Sequence, residues 1–305
     1  MRLKDFSQML ERAQKHPLTR VAVAAAADEG VLEGVKLAVE ARLIEPLLVG
    51  NETEIKKAAA EIRLPLAACE LISAPDAITS AATAVKLVSS GEADVVMKGM
   101  VGTAYLLKAV LNEEYGLRTG RLLSHVAAFA VPNFSRLLFM TDGGVNIAPD
   151  IGQKQVILQN AIDAVRALGY TNPKVAVLGA VETVNPQMDA TIDAAILTKM
   201  AARGQIKGAL VDGPLALDNA ISSDAAEQKR INSPVAGDAD LLLVPNIEAG
   251  NIFGKSLTFL AGGIMAGIVV GSKAPVILPS RADTAYSKFC SLIFASLVYQ
   301  GRQAG

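Results

Sequence analysis

The stretch LVDGPLALDNAISSDAAEQKRINSPVAGDADLLLVPNIEAGNIFGKSL, Leu210–Leu257, carries the reading of the fold. Two short apolar runs, Gly208–Val211 and Leu241–Val244, have the composition of buried strands. Each runs into a segment dense in Gly, Pro, Asp and Asn. Asp212-Gly213-Pro214 and Asn232-Ser233-Pro234 follow the first, and Glu248-Ala249-Gly250-Asn251 follows the second. Packing a hydrophobic core requires none of these turn-forming polar residues. Loops at strand ends are where α/β proteins place their ligands, so this window is expected to carry chemistry.

The same alternation extends outward over the chain. Strands are expected at Val21–Ala26, Leu47–Gly50, Glu70–Ser73, Asp94–Met97, Val126–Val131, Arg136–Met140, Lys174–Leu178, Gly267–Val270 and Pro275–Leu278. Most are continuous apolar runs, as strands covered on both faces require. Between them lie Ala-rich segments with apolar residues three and four apart, at Phe6–Lys15, Ala104–Leu111, Asp150–Leu168, Pro186–Arg203 and Thr284–Tyr299. Gly169 and Gly204 close two of these helices, and Asn185 before Pro186 reads as an N-cap and first-turn pair. Alternating strands and helices predict mostly parallel sheets with helices outside them. A chain of 305 residues is long for one core and predicts two α/β domains. The break at Pro132-Asn133 puts the join there, with 1–133 and 273–305 in the first domain and 134–272 in the second. The apolar helix with Phe289, Leu292, Ile293, Phe294 and Leu297 is expected to pack on the first domain or against a twin subunit, giving at least a homodimer.

Apolar residues make up 51% and charged ones 19%, a globular composition that excludes disorder. The net charge is −1 and basic residues are scattered, so nucleic acid is not an expected partner. MRLKDFSQMLERAQ at the start lacks the apolar centre of a signal peptide, and the apolar stretch Phe259–Gly271 is too short and Gly-rich to span a bilayer. Cys69 and Cys290 have no CxxC partner, which suggests reduced thiols in a cytoplasmic protein. His16 and His125 lie in no His/Cys/Asp cluster, so no metal site is expected.

Two segments hint at anion chemistry. A strand runs into Lys98-Gly99-Met100-Val101-Gly102-Thr103 ahead of a helix, and bare glycines, backbone N–H groups and a lysine there can cradle an anion. The same segment reads equally as an ordinary turn capped by Thr103. By contrast, Asp28 and Glu29 at the first strand-to-helix turn would repel phosphate, and that turn reads as structural. Ser280-Arg281 emerges where a buried strand ends: arginine offers a planar fork of donors, and the serine hydroxyl can donate to an oxyanion. Taken alone, that pair reads as a helix cap and a solvated arginine. Ala249–Ser256 misses the P-loop pattern GxxxxGK followed by Ser or Thr only at its first position, which keeps a nucleotide binder as an alternative. No GxGxxG or GxSxG occurs.

Taken together, ADVVMKG (93–99), LLKAVLN (106–112), LSHVA (123–127), NIAP (146–149), AVETVNP (180–186), RGQIKG (203–208), VDGPLALDNA (211–220), IEAGNI (247–252) and SRAD (280–283) resemble the phosphate acetyl/butyryl transferase family over nearly the whole chain. AVETVNP and SRAD suggest its butyryl or branched-chain side. The resemblance implies two α/β domains of isocitrate/isopropylmalate dehydrogenase-like architecture with a cleft between them. It implies reversible conversion of a short- or branched-chain acyl-CoA and phosphate to acyl phosphate and CoA. CoA is then a substrate or product, and no cofactor or metal is expected. It also turns the near-miss P-loop into part of a cleft signature.

Such transfer needs no acyl-enzyme, because phosphate can attack the thioester directly. The protein must align two anionic reactants, stabilise the carbonyl oxygen and manage the thiol proton. Ser280 and Arg281 are the expected catalytic pair. Lys98, Gly99, Thr103, Asp212, Gly213, Pro214, Asn232, Ser233, Glu248, Gly250 and Asn251 are the expected substrate contacts. Acetyl-transferring relatives carry an aspartate six residues after the arginine. Here that position is Ser287, so Asp283 becomes the expected proton-handling group, with Asp212 and Glu248 in reserve. Phosphate acetyltransferase chemistry, an NAD-dependent enzyme and a non-catalytic acyl-CoA-binding module are the remaining alternatives.

Overall fold

The computed structural model describes residues 2–303. Its first half runs α1 (Phe6–Ala13), β1 (Thr19–Ala24), α2 (Glu29–Glu40), β2 (Ile44–Gly50), α3 (Glu52–Glu61), β3 (Glu70–Ser73), α4 (Ala77–Ser89), β4 (Val95–Lys98), α5 (Thr103–Val110), β5 (Ser124–Ala130) and β6 (Leu138–Thr141). There follow α6 (Ile151–Ala167), β7 (Lys174–Leu178), α7 (Asp189–Ala202), β8 (Leu210–Leu215), α8 (Leu217–Ile221), α9 (Ser223–Gln228), β9 (Leu241–Leu243), α10 (Ile247–Lys255), β10 (Ile264–Val270), β11 (Val276–Ile277) and α11 (Ala285–Gln303). The fold is mixed α/β with mostly parallel pairing. All eleven expected strands are present, with ends moved by a few residues.

Contacts divide the chain into two compact units. One joins Phe6–Arg121 to Ala266–Gly305. In it β3, β2, β1, β4 and β11 run parallel in that order, and β10 pairs antiparallel with β11. Val21–Ala24 and Val95–Met97 are fully buried, because helices cover both faces of these central strands. Asp28, Asn51 and Asp76 each accept a backbone N–H from the first turn of α2, α3 and α4, fixing where those helices begin. α11 packs against α1 and α2 of the same unit, with Cys290, Leu292, Ile293, Phe294 and Val298 at 1% exposure or less. Its apolar faces are thus already covered within the chain, and the argument from this helix to a twin subunit falls away.

The other unit joins Met1–Asp5 to Leu122–Met265. Its sheet runs β5, β6, β9, β7, β8, parallel apart from the β5–β6 hairpin. Pro132 and Asn133 lie in the connection of that hairpin. Phe129, Leu138, Met140, Ala176, Leu242 and Val244 form the centre of its core. Asp150 and Gln153 close a capping box at the start of α6.

Three local readings are corrected. Asp212-Gly213-Pro214 is not a loop after the strand: β8 continues to Leu215, because Val175, Ala176 and Leu178 of β7 pair with Val211, Asp212 and Leu215. α7 starts at Asp189 rather than Pro186. Asn185 instead closes a turn, its carbonyl accepting from Met188 N and Thr191 Oγ1 and its side chain from Gln187 N. Glu248-Ala249-Gly250-Asn251 is helical, since Asn246 accepts from Ala249 N and starts α10 there. The near-miss P-loop is therefore a helix, whose N–H groups bond within it and cannot wrap a phosphate.

Candidate active site

In a parallel sheet every strand delivers its following loop to the same edge. β1, β4 and β11 are neighbours in one unit, so the turns after Ala24, Lys98 and Ile277 meet at that edge, at the starts of α2, α5 and α11. There the turns enclose a cavity of about 450 Å³. Asp28, Gly30, Lys98, Gly99, Ser280 and Arg281 line it, with Lys288 of α11 behind them.

Gly99 lets two of these turns lie against each other. Its N–H bonds Ala24 O at 2.8 Å, and Met100 N bonds Ala25 O at 2.8 Å. A Cβ at Gly99 would stand 2.3 Å from Ala25 O and 2.7 Å from Ala24 O, so backbone would have to move. Gly99→Ala is expected to destabilise the protein by about 1–3 kcal/mol, read as a lower urea midpoint with an unchanged slope. An unchanged midpoint would show that the turn gives way freely.

The strand-to-helix loop Ser280–Asp283 is stapled at both ends. Ser280 N donates to Asp283 Oδ2 at 2.8 Å, and Asp283 N donates to Ser280 O at 3.2 Å. Ser280 Oγ accepts weakly from Ala282 N at 3.3 Å. The loop is thereby shaped by its own carboxylate, leaving Arg281 exposed at its tip.

The charge balance of the cavity is unusual. Lys98, Arg281 and Lys288 form no ion pair among the described residues. Lys98 donates only to the carbonyls of Gly99 and Val101, at 3.3 and 3.5 Å. Burial pushes its ammonium below the ordinary lysine range; Asp28 and Asp283 pull it up, and Arg281 and Lys288 press it further down. The two carboxylates are engaged elsewhere: Asp28 Oδ1 caps α2 through Val31 N at 2.8 Å, and Asp283 braces Ser280. An anion entering here would find three cationic side chains that make no direct ion pair, with Asp28 and Asp283 nearby offsetting only part of their charge.

The structure thus brings Lys98, Gly99, Ser280 and Arg281 together, with Asp283 in the same turn. Thr103 is the exposed first residue of α5, and Gly102 rather than Thr103 occupies the cap position. The remaining expected contacts belong to the other unit, where local packing accounts for several of them. A Cβ at Gly213 would meet Val177 O at 2.6 Å, and one at Gly250 would meet Gly143 Cα at 2.7 Å. Asp212 Oδ1 accepts from Gly213 N, and Ser233 Oγ accepts from Val235 and Ala236 N, a local turn beside Asn232. Glu248, Gly250 and Asn251 occupy the first turns of α10.

Sequence reasoning missed Gly30 and Lys288 and took the Asp28 turn as structural only. The capping reading of Asp28 is right, yet the residue also lines the cavity. A lone lysine among the apolar residues of the last helix was the available signal. Burial pushes the thiols of Cys69 and Cys290 up to about 11 and about 12, so neither is a thiolate nucleophile at neutral pH. Among the described residues there is no cluster of three metal-ligating side chains, and no helix is long and apolar enough to cross a membrane.

Comparison with known proteins shows the family. Residues 73–295 match the family model described as Phosphate acetyl/butaryl transferase. The chain is 48% identical to phosphate butyryltransferase of Clostridium beijerinckii, over 97% of this chain and 98% of that protein. A crystal structure of a branched-chain phosphotransacylase from Enterococcus faecalis superposes with a TM-score of 0.82 at 33% identity, covering 92% of this chain and 99% of that one. A putative 4-hydroxythreonine-4-phosphate dehydrogenase from Salmonella typhimurium shares the fold alone, with a TM-score of 0.60 at 18% identity over 92% of this chain and 99% of the other. The dehydrogenase-like architecture expected from the sequence is therefore present, and the chain belongs to the phosphate acetyl/butyryl transferase family.

Proposed function

We propose that the protein catalyses the reversible reaction of a short- or branched-chain acyl-CoA with inorganic phosphate to give acyl phosphate and CoA. One phosphate oxygen attacks the thioester carbonyl carbon, the C–S bond breaks, and the departing sulfur takes up a proton. The observation that carries this reading is the convergence of Lys98, Ser280 and Arg281 on one cavity whose cations lack carboxylate partners. Arg281 and Lys98 hold phosphate charge, and Ser280 donates to the carbonyl oxygen as it becomes anionic. Asp283 braces Ser280 through Oδ2, while Oδ1 makes no hydrogen bond among the described residues and is free to exchange the thiol proton. Thr103, Asp212, Gly213, Pro214, Asn232, Ser233, Glu248, Gly250 and Asn251 remain candidate substrate contacts.

The test is release of free CoA from acetyl-, butyryl- and isobutyryl-CoA, with and without phosphate. Phosphate is expected to accelerate release, most for the four-carbon donors. A preference for acetyl-CoA would make the protein an acetyltransferase, and binding without phosphate-dependent release would make it a non-catalytic module. We place it in the cytoplasm, consistent with two free thiols. A homo-oligomer is supported by the exposed Ile252, Phe259 and Leu260, at 67%, 73% and 85% exposure, and is checked by sedimentation.

A further inference from the structure

Resting on that reading of the site, we infer that Lys288 is a third phosphoryl-binding cation, delivered to the cavity by a groove of two glycines in α2. Lys288 is only 5% exposed, although its side chain ends in an amino group. A Cβ at Gly34 would stand 2.8 Å from Lys288 Cβ and 3.2 Å from Ala285 O. A Cβ at Gly30, one turn nearer the helix start, would stand 3.4 Å from Lys288 Nζ. The lysine stem therefore lies along a strip of α2 that has no side chains, and its ammonium arrives where the helix begins and the cavity opens. Any larger residue at 34 would push the stem out, whereas a methyl at 30 would rest in ordinary contact with the ammonium.

The ammonium has three donors and uses one, to the carbonyl oxygen of Asp283 at 2.5 Å. It forms no ion pair among the described residues. Asp28 Oδ1 lies in the same neighbourhood but is held by Val31 N and makes no ion pair with Lys288, so a bound phosphoryl oxygen is the natural counter-ion. Ties within the protein do not explain the arrangement. A neutral side chain would fill the same groove at lower desolvation cost, and only one carbonyl would lose its partner. Lys288 also touches the loop that carries Ser280 and Arg281, so a ligand on its ammonium sits beside both.

Two sources offer this chemistry: inorganic phosphate and the phosphates of CoA. Lys288→Met keeps the stem and removes the charge. Calorimetric titration of this variant and the unaltered protein, with inorganic phosphate and separately with adenosine 3′,5′-bisphosphate, distinguishes them. Loss of phosphate affinity by about 10- to 100-fold, with bisphosphate affinity retained, assigns Lys288 to the phosphate that attacks. The reverse pattern assigns it to CoA. Unchanged affinity for both overturns the inference, even where the variant turns over more slowly.

Gly34→Ala is the second variant. Residue 34 does not line the cavity, alanine favours the helix, and its methyl would stand 2.8 Å from Lys288 Cβ and displace the stem. A several-fold loss of affinity for the same ligand supports the proposal if Lys288→Met fails to fold, and no loss overturns it. Binding is read without turnover. An unaltered protein that releases no CoA would sink the functional reading while leaving these titrations decisive for Lys288.

Discussion

Asp283→Asn is expected to lower kcat for phosphate-dependent CoA release by about 10²–10⁴-fold while leaving the melting temperature unchanged. The asparagine carbonyl can still accept the Ser280 N–H that Asp283 Oδ2 takes at 2.8 Å, so the loop keeps its shape. What is lost is the ability to exchange a proton. Asp283→Ala removes both functions and is expected to lower kcat further and to destabilise the loop. Steady-state kinetics of the pair separates the roles. If the asparagine variant stays within about twofold of the unaltered protein and only the alanine variant fails, Asp283 is a brace and the thiol proton is handled elsewhere.

Ser280→Ala is expected to reduce kcat by about 10²–10³-fold with little change in the KM of either substrate. The hydroxyl contributes only a weak 3.3 Å acceptance from Ala282 N to the loop. The two stronger ties, Ser280 N to Asp283 Oδ2 and Asp283 N to Ser280 O, use backbone atoms that alanine retains. Loss of rate would therefore report on the oxygen of the substrate rather than on folding. A loss smaller than about threefold would remove the hydroxyl from the mechanism. A rise in phosphate KM at constant kcat would make it a ground-state binding group instead.

Much of the architecture was legible because it is written in local composition. Val95–Met97 and Leu241–Leu243 are apolar without interruption, and such runs have few alternatives to a doubly covered strand. Reading failed where a polar residue had two uses. Asn185 looks like a helix cap but closes a turn ahead of one, and Asn246 starts the helix that was read as a loop. Glycines carry a second use of the same kind: Gly213 and Gly250 invite a ligand-loop reading, and each also admits a neighbouring segment of backbone or strand. In the site, the strand-end residues Lys98, Gly99, Ser280 and Arg281 were visible from their place after strands. Lys288 was not, since a lone lysine within an apolar helix signals something unusual without saying where its stem will lie.

The residues alone were enough to specify an α/β chain of the phosphate acetyl/butyryl transferase family and to single out candidate anion-binding side chains at its strand ends. Periodicity, capping chemistry and family blocks are properties of near neighbours along the chain. Only the tertiary structure decided that β11 lies beside β4, which sets the Ser280–Asp283 loop next to Lys98. It alone decided that Gly30 and Gly34 leave a channel for Lys288. Those outcomes depend on how strands order in a sheet and how two helices pack, and neither is contained in the local pattern of the segments involved.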